Sequence, residues 1–226
     1  MSEPQHGNGK IATVESVGDL HECIAAADKV LMVGNQSKPP LSAAGPDVQL
    51  ISTSRLKGIT EYTPSEFTFT ALAGTTITEL KQVLAEKNQY LPFDPPLSDD
   101  NATIGGTVAA GLSGPGRHRY GGVRDFILAT EFLAGDGERI RCGGKVVKNA
   151  AGFDIPKLLV GSCGRLGAIT EVTFKVFPES TSYRSYRIDT ESHQSALATI
   201  ASLARGRWEL DAIDYCHRYR SIWIRI

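Results

Sequence analysis

The sequence predicts an α+β fold, and three stretches predict it. The first fifty residues read strand, helix, strand, loop, strand. Residues 59–76, "ITEYTPSEFTFTALAGTT", alternate Thr with apolar and aromatic residues, the period of a half-buried strand. Past Pro178 the pattern becomes strand, helix, strand, strand.

"KIATVES", from Lys10, is the first expected strand. Ser16 and Asp19 then have the spacing of a capping box with Asp in place of Glu, opening a helix over "VGDLHECIAAAD". "KVLMVG" is a continuous apolar run of the buried-strand kind, and it runs into the Gly-, Ser- and Pro-rich loop "GNQSKPPLSAAGPD". "VQLIST" is the third strand. Pro64 should interrupt the Thr-rich alternation, since it has no N–H to give a ladder. In "TITELKQVLAEKNQ", Ile77, Leu80, Val83 and Leu84 form one stripe, with Glu79, Lys81, Gln82 and Glu86 mostly outside it, an amphipathic helix. "NQYLPF" turns back as a short strand.

Thr103 to Phe126 holds seven glycines in twenty-four residues. Glycine has the most backbone entropy to lose on folding, so such a concentration implies backbone where a side chain would obstruct. A short helix is expected from near Thr103, with Gly105 and Gly106 in its first turn, where free N–H groups point outward. "DFILATEFLAGDGERI" reads as a strand pair turning at Gly135, Asp136 and Gly137. Within "GKVVKNAAGFDIPKLLVGS" a loop leads to a helix with Asp154 as N-cap and Pro156 in its first turn. "GAITEVTFKVFP" is a strand closing at Pro178. A second domain then begins near residue 179. Its last apolar strand, "SIWIRI", runs to the final residue, so this domain reads as unfinished and "SIWIRI" as an exposed edge.

Composition is that of a soluble globular protein, 41% hydrophobic and 22% charged. A formal net charge of −1 argues against nucleic acid as the main partner, because phosphate neutralisation needs a basic surface. "MSEPQHGNGK" has no apolar core of a secretory signal, and no run of about 18 apolar residues occurs, so no transmembrane segment is expected. Cys23, Cys142, Cys163 and Cys216 are scattered and form no metal-spaced cluster, which fits reduced thiols in the cytoplasm.

Three glycine-bearing loops carry the chemistry: Gly34 to Lys38, Thr103 to Gly122, and Gly161 to Gly167. Each adjoins an expected strand end or helix start. Successive backbone N–H groups in such loops make anion nests, and a helix N-terminus adds positive potential, which suits a pyrophosphate. A tight turn explains any one of them alone. The Rossmann and P-loop glycine motifs are absent, as are G-x-S-x-G and H-E-x-x-H.

"VGNQSKPP", then "PFDPPLSDDNATIGGTVAAGLSGPGRHRYGGVRDFIL", then "GGKVVKNAAGFDIPKLLVGSCGRLGAITEVTFKVFP" resemble, in that order, the FAD-binding domain of the vanillyl-alcohol-oxidase and p-cresol-methylhydroxylase superfamily. Within it they are similar to the E-subunit family of bacterial glycolate oxidase. The resemblance covers about residues 10–178. It implies two α+β subdomains with extended FAD between them, after a flexible 1–9 and before an incomplete cap at 179–226. It places the pyrophosphate at Gly34, Asn35, Gln36, Ser37 and Lys38. The second loop would cover pyrophosphate, ribitol and flavin face through Thr103, Ile104, Gly105, Gly106, Ser113, Gly114, Arg119 and Gly121, with Pro95 beside it. The third would approach through Gly164, Gly167 and Ile169. Asn35 and Gln36 stand where the family usually has glycine; Asn tolerates positive φ, and the nest is expected to survive with Gln36 at negative φ.

The resemblance further implies an FAD-binding subunit of a glycolate oxidase or dehydrogenase complex, with a second flavoprotein subunit and an iron–sulfur subunit. Such a complex would be cytoplasmic, at the inner-membrane face. Two alternatives stay open: a self-sufficient FAD-linked oxidase of D-lactate or another 2-hydroxy acid, and a flavin-holding or flavin-free structural subunit. No catalytic residue is assigned. His193 and His217 read as isolated, and the arginines of "HRYRSIWIRI" as a solvated strand face. FAD is expected to be non-covalent, because Gly34 to Leu41 contains neither His nor Cys, and His118 lies in an apparent exposed turn.

Overall fold

The computed structural model describes residues 11–38, 41, 44–144 and 153–226. Lys10 and most of "GGKVVKNAAG" therefore lie outside the described residues. The chain opens with β1 (Ala12–Thr13), α1 (Val17–Ala25), β2 (Val30–Val33) and β3 (Gln49–Ser52). The capping box forms as read: Asp19 N–H donates to Ser16 Oγ at 3.0 Å, and Ser16 N–H to the Asp19 carboxylate at 3.0 Å. The three strands are parallel, in the order β1-β3-β2. Parallel strands need a crossover, and α1 carries the chain from the edge strand β1 to the opposite edge strand β2. Leu20 and Ile24 of α1 bury against Val14, Ile51 and Leu56.

β4 (Ile59–Thr63) and β5 (Thr68–Leu72) follow, separated by a 3-10 turn at Pro64–Glu66, so Pro64 does break the alternation. α2 (Ile77–Ala85) is capped by Thr76 and Glu79, and β6 (Gln89–Tyr90) comes next. The glycine-rich stretch holds α3 (Ile104–Ala110) and two single helical turns that the sequence pattern did not announce, α4 (Arg117–Tyr120) and α5 (Val123–Phe126). β7 (Ile127–Leu133), β8 (Arg139–Gly143), α6 (Ile155–Leu159), β9 (Ala168–Lys175) and β10 (Phe177–Pro178) complete this part. The main sheet is antiparallel, in the order β4-β5-β9-β7-β8. Phe69, Phe93, Phe126 and Phe174 are fully buried on it, with Ile77, Leu80 and Leu84 of α2 and Ile104 and Val108 of α3. Each such side chain contributes about 1.5–3 kcal/mol by leaving water.

After β10 come β11 (Ser185–Asp189), α7 (His193–Arg205), β12 (Ala212–Cys216) and β13 (Ser221–Arg225), with a small core of their own around Ala196, Leu210, Ile222 and Ile224. Two expectations fail here. "SIWIRI" is not an edge: β13 is the central strand, pairing Ile224 with Tyr186 of β11 on one side and with Ile213 of β12 on the other. A non-local pairing across about forty residues outbids the local pattern, which shows only that the strand is apolar. Nor are the histidines isolated: His193 and His217 stack with ring centroids 4.4 Å apart, and His193 Nδ1 shares a hydrogen bond with the Tyr215 hydroxyl.

Candidate functional site

β2, α3 and the turn before β9 converge on an open crevice enclosing about 320 Å³ of atom-free space, part of it solvent. Its walls include Gly34 at the end of β2, Gly105, Gly106 and Ala109 on α3, and Gly164, Gly167 and Ile169 from the third loop. The three glycine loops, far apart in sequence, thus meet at one place. Met32, Val33 and Thr53 also line it; sequence reasoning missed them, with Ala109, because apolar strand and helix residues and a lone Thr after a strand carry no ligand signal.

The first loop leaves the crevice at Gly34. Among the described residues, the backbone N–H groups of Asn35, Gln36, Ser37 and Lys38 have no acceptor. Gln36 has φ of +53°, which corrects the expected negative value. A left-handed residue within a run of unpaired N–H groups is the geometry of an anion nest. Asn35 is held from its side chain, which donates from Nδ2 to the Asn101 carbonyl at 2.9 Å. Lys38 is part-buried, burial pushes its ammonium below the ordinary lysine range, and it has no carboxylate partner among the described residues.

The second loop differs from its expectation. The first-turn N–H groups of α3 are not free: Ile104 donates to the Thr75 carbonyl at 2.9 Å, Gly105 to the Ala73 carbonyl at 2.9 Å and Gly106 to Thr103 Oγ1 at 3.1 Å. The N-terminus of this seven-residue helix is closed by its own cap and by the strand end below it. Ile104 itself is fully buried in the core. What α3 offers the crevice is space. A Cβ on Gly106 would meet only its own cap, Thr103 Oγ1 at 3.0 Å, and would otherwise project into the opening. Thr103 also sets the neighbouring wall, because a Cβ on Gly34 would lie 2.6 Å from its Oγ1.

The third loop is stitched to both other walls. Cys163 N–H donates to Ala109 O at 2.8 Å, and Met32 N–H to Gly164 O at 3.4 Å. Gly164 has φ of +74° and lies directly on the Met32 carbonyl, leaving no room for a side chain.

Besides Asn35, Gln36, Ser37, Lys38, Thr103 and Ile104, five more expected site residues do not line the crevice. Pro95 is buried beside Asp94. Gly114 N–H donates to the Phe93 and Asp94 carbonyls, each at 2.9 Å, and Ser113 Oγ accepts from Val123 N–H at 3.1 Å. Gly121, at φ of +89°, packs against Asp125. Arg119 reaches the C-terminal unit, pairing with Glu209 and Asp211 at 3.3 Å each. Arg225 joins the same region and is not on a solvated face: it bridges to Asp94 at 3.0 Å, each side chain only about a quarter exposed (26% and 27%), and its guanidinium lies 5.1 Å over the Tyr183 ring.

Residues 10–143 match the family described as "FAD binding domain", and the chain belongs to that family. FAD is therefore the group these residues have to fit, and they suit it: an anion nest in the loop that follows Gly34, a lysine with no carboxylate partner among the described residues, and a crevice wall that a Cβ on Gly106 would fill. Among relatives, the chain is 40% identical over 173 residues to glycolate oxidase subunit GlcE of Escherichia coli (strain K12), covering 75% of this chain and 48% of that protein. It is 30% identical over 201 residues to a D-lactate dehydrogenase of Anaerostipes hadrus, covering 84% and 42%. With glycolate oxidase subunit GlcD of Bacillus subtilis (strain 168) it shares 30% over 145 residues, covering 64% and 31%. The chain thus spans less than half the length of each. Among the described residues no helix is long and apolar enough to cross a membrane.

Proposed function

We propose that this chain is the FAD-binding part of a glycolate oxidase or dehydrogenase, which oxidises glycolate to glyoxylate together with a second flavoprotein subunit and an iron–sulfur subunit. The observation that carries the reading is the run of N–H groups from Asn35 to Lys38, without acceptors among the described residues, in the loop that follows Gly34, itself a wall of the crevice shared with Gly105, Gly106 and Gly164. In this reading Gly34 to Lys38 hold the pyrophosphate, the four N–H groups as donors and Lys38 as counter-charge. Thr103 shapes the wall, and Gly106, Gly167 and Ile169 admit the flat rings. Bound FAD would supply the two-electron acceptor, taking the hydride of a 2-hydroxy acid while the hydroxyl proton leaves separately. Residues 10–178 form the cofactor domain and residues 179–226 the beginning of a cap. Pro95, Ser113, Gly114, Arg119 and Gly121 shape the second loop from outside the crevice. The complex would work in the cytoplasm at the inner-membrane face.

The 40% identity to a glycolate oxidase subunit favours glycolate. A D-lactate oxidising enzyme is the second reading, favoured by a relative whose match extends over 84% of this chain. The test is to purify the 226-residue chain, add FAD, remove the excess and record the absorption spectrum. A flavin spectrum is expected, with the colour released into the supernatant on acid precipitation, because the first loop has no side chain that forms a covalent flavin link. A chain that stays colourless overturns the reading. Dye reduction with glycolate and D-lactate then separates the two substrates, and the chain alone is expected to turn over far below about 1 per second.

A further inference from the structure

The far end of the second glycine-rich loop is gripped from two sides. Asp94 accepts from Gly116 N–H at 2.8 Å, and the same oxygen accepts from Arg225 of β13 at 3.0 Å. Tyr120 donates to Asp211 at 2.9 Å, and Arg119 pairs with that carboxylate at 3.3 Å. Tyr90 stands beside Tyr120 and Tyr183, and burial pushes its phenol well above the ordinary tyrosine range. Glu209 and Asp211 of the C-terminal unit therefore meet the loop directly across one seam, and Arg225 reaches it through Asp94. Exposed ion pairs contribute little, but Asp211 is largely buried and the Asp94–Arg225 pair is three-quarters so.

We propose that Asp94, Arg225, Tyr120 and Asp211 are positioning residues. They lock the Gly114–Gly122 segment to the C-terminal unit and so couple docking of that unit to cofactor retention. The loop has reason to need a lock. Gly114 and Gly116 press against the Asp94 and Pro92 carbonyls too closely for a side chain, so the segment has one tight seat or none. Its other end is α3, which walls the crevice. The cofactor half of the proposal rests on the FAD reading above; the mechanical half does not. Coupling of this kind is reciprocal, so FAD should also tighten β13.

The experiment compares amide hydrogen exchange in the full chain, first without FAD. Arg225→Met keeps the stem and removes the guanidinium; Tyr120→Phe, combined with Arg119→Met, removes the other link to Asp211 while leaving β13 untouched. Each variant is expected to speed exchange at Gly114–Gly122 about tenfold or more, with β7 and β9 unchanged, and Arg225→Lys to restore part of the protection. FAD titrated by fluorescence should bind Arg225→Met about tenfold more weakly and should slow exchange in β13 of the wild type. If Arg225→Met unfolds the C-terminal unit as a whole, Tyr120→Phe combined with Arg119→Met decides. Exchange at Gly114–Gly122 within twofold of wild type in the folded variants overturns the seam. Failure of the wild type to bind FAD would overturn the functional reading instead and leave the exchange comparison to decide the seam by itself.

Discussion

The two halves of the glycine-rich stretch are alike in composition and differ in what Gly106 and Gly116 face. From Thr103 to Gly111 the chain walls an open crevice, and Gly106 meets no protein atom but its own cap. From Gly114 to Gly122 it is packed against Asp94, Pro92, Ser113 and Asp125, and its glycines are there because other protein atoms leave no room. Gly105 and Gly111 of the first half are hemmed in as well, by Ala73 and Gly161, so Gly106 is the glycine of that half whose side-chain position is open. The lesson is that glycine density locates a close approach without saying what approaches.

The sharpest way to break this comparison is to add side chains at both ends. Gly116→Val places carbon onto the Pro92 carbonyl and beside Asp94, backbone and a buried carboxylate that cannot give way. It should cost at least about 3 kcal/mol of stability, read by denaturant unfolding. Gly106→Val should change stability by less than about 1 kcal/mol, since its φ is not left-handed and only Thr103 Oγ1 must shift. It should nonetheless weaken FAD binding about a hundredfold, roughly 2.8 kcal/mol. Unchanged FAD affinity in Gly106→Val would place the cofactor elsewhere.

A smaller effect is expected at Lys38. Lys38→Met removes the unpaired ammonium while keeping an apolar stem of similar length. FAD affinity should fall about tenfold, or 1.4 kcal/mol, and should become less sensitive to salt, because a charge pair partly exposed to water is screened. A variant with wild-type affinity and wild-type salt dependence would show that Lys38 faces away from the phosphates. Smaller again is Thr103→Ala, which uncaps α3 at a cost of about 1 kcal/mol. Thr103→Ser should restore the cap, as thermal unfolding of the pair would show.

Legibility in the sequence followed the range of the interaction. The Ser16–Asp19 and Thr76–Glu79 caps, the break at Pro64, the Asp154 cap and the β-α-β-β order after Pro178 are set by neighbours within a few residues, and all could be read. The convergence of three loops was reachable only through a resemblance to a known family. What stayed hidden was non-local. Nothing near Arg225 announces Asp94, 131 residues earlier. Nothing in "SIWIRI" says it will have partners on both sides. The closure of the α3 N-terminus depends on the Ala73 and Thr75 carbonyls, which a helix-propensity argument does not contain.

Gln36 gives the finest test of the crevice side. It adopts φ of +53° although nothing about Gln favours that region. If the left-handed turn exists to aim the Asn35–Lys38 N–H groups, glycine at this position should keep the shape at lower strain. Relief of the left-handed conformation is worth about 1–2 kcal/mol, offset by roughly 0.4–1 kcal/mol of extra unfolded-chain entropy. Gln36→Gly should therefore stabilise the protein by about 0.5 kcal/mol, a rise of one or two degrees in Tm for a chain of this size. FAD affinity should stay within about threefold of wild type. Gln36→Val, β-branched and ill-suited to positive φ, should lower Tm and FAD affinity together. A Gln36→Gly protein that loses both stability and FAD would mean that the Gln side chain, and not the turn it sits in, shapes the loop.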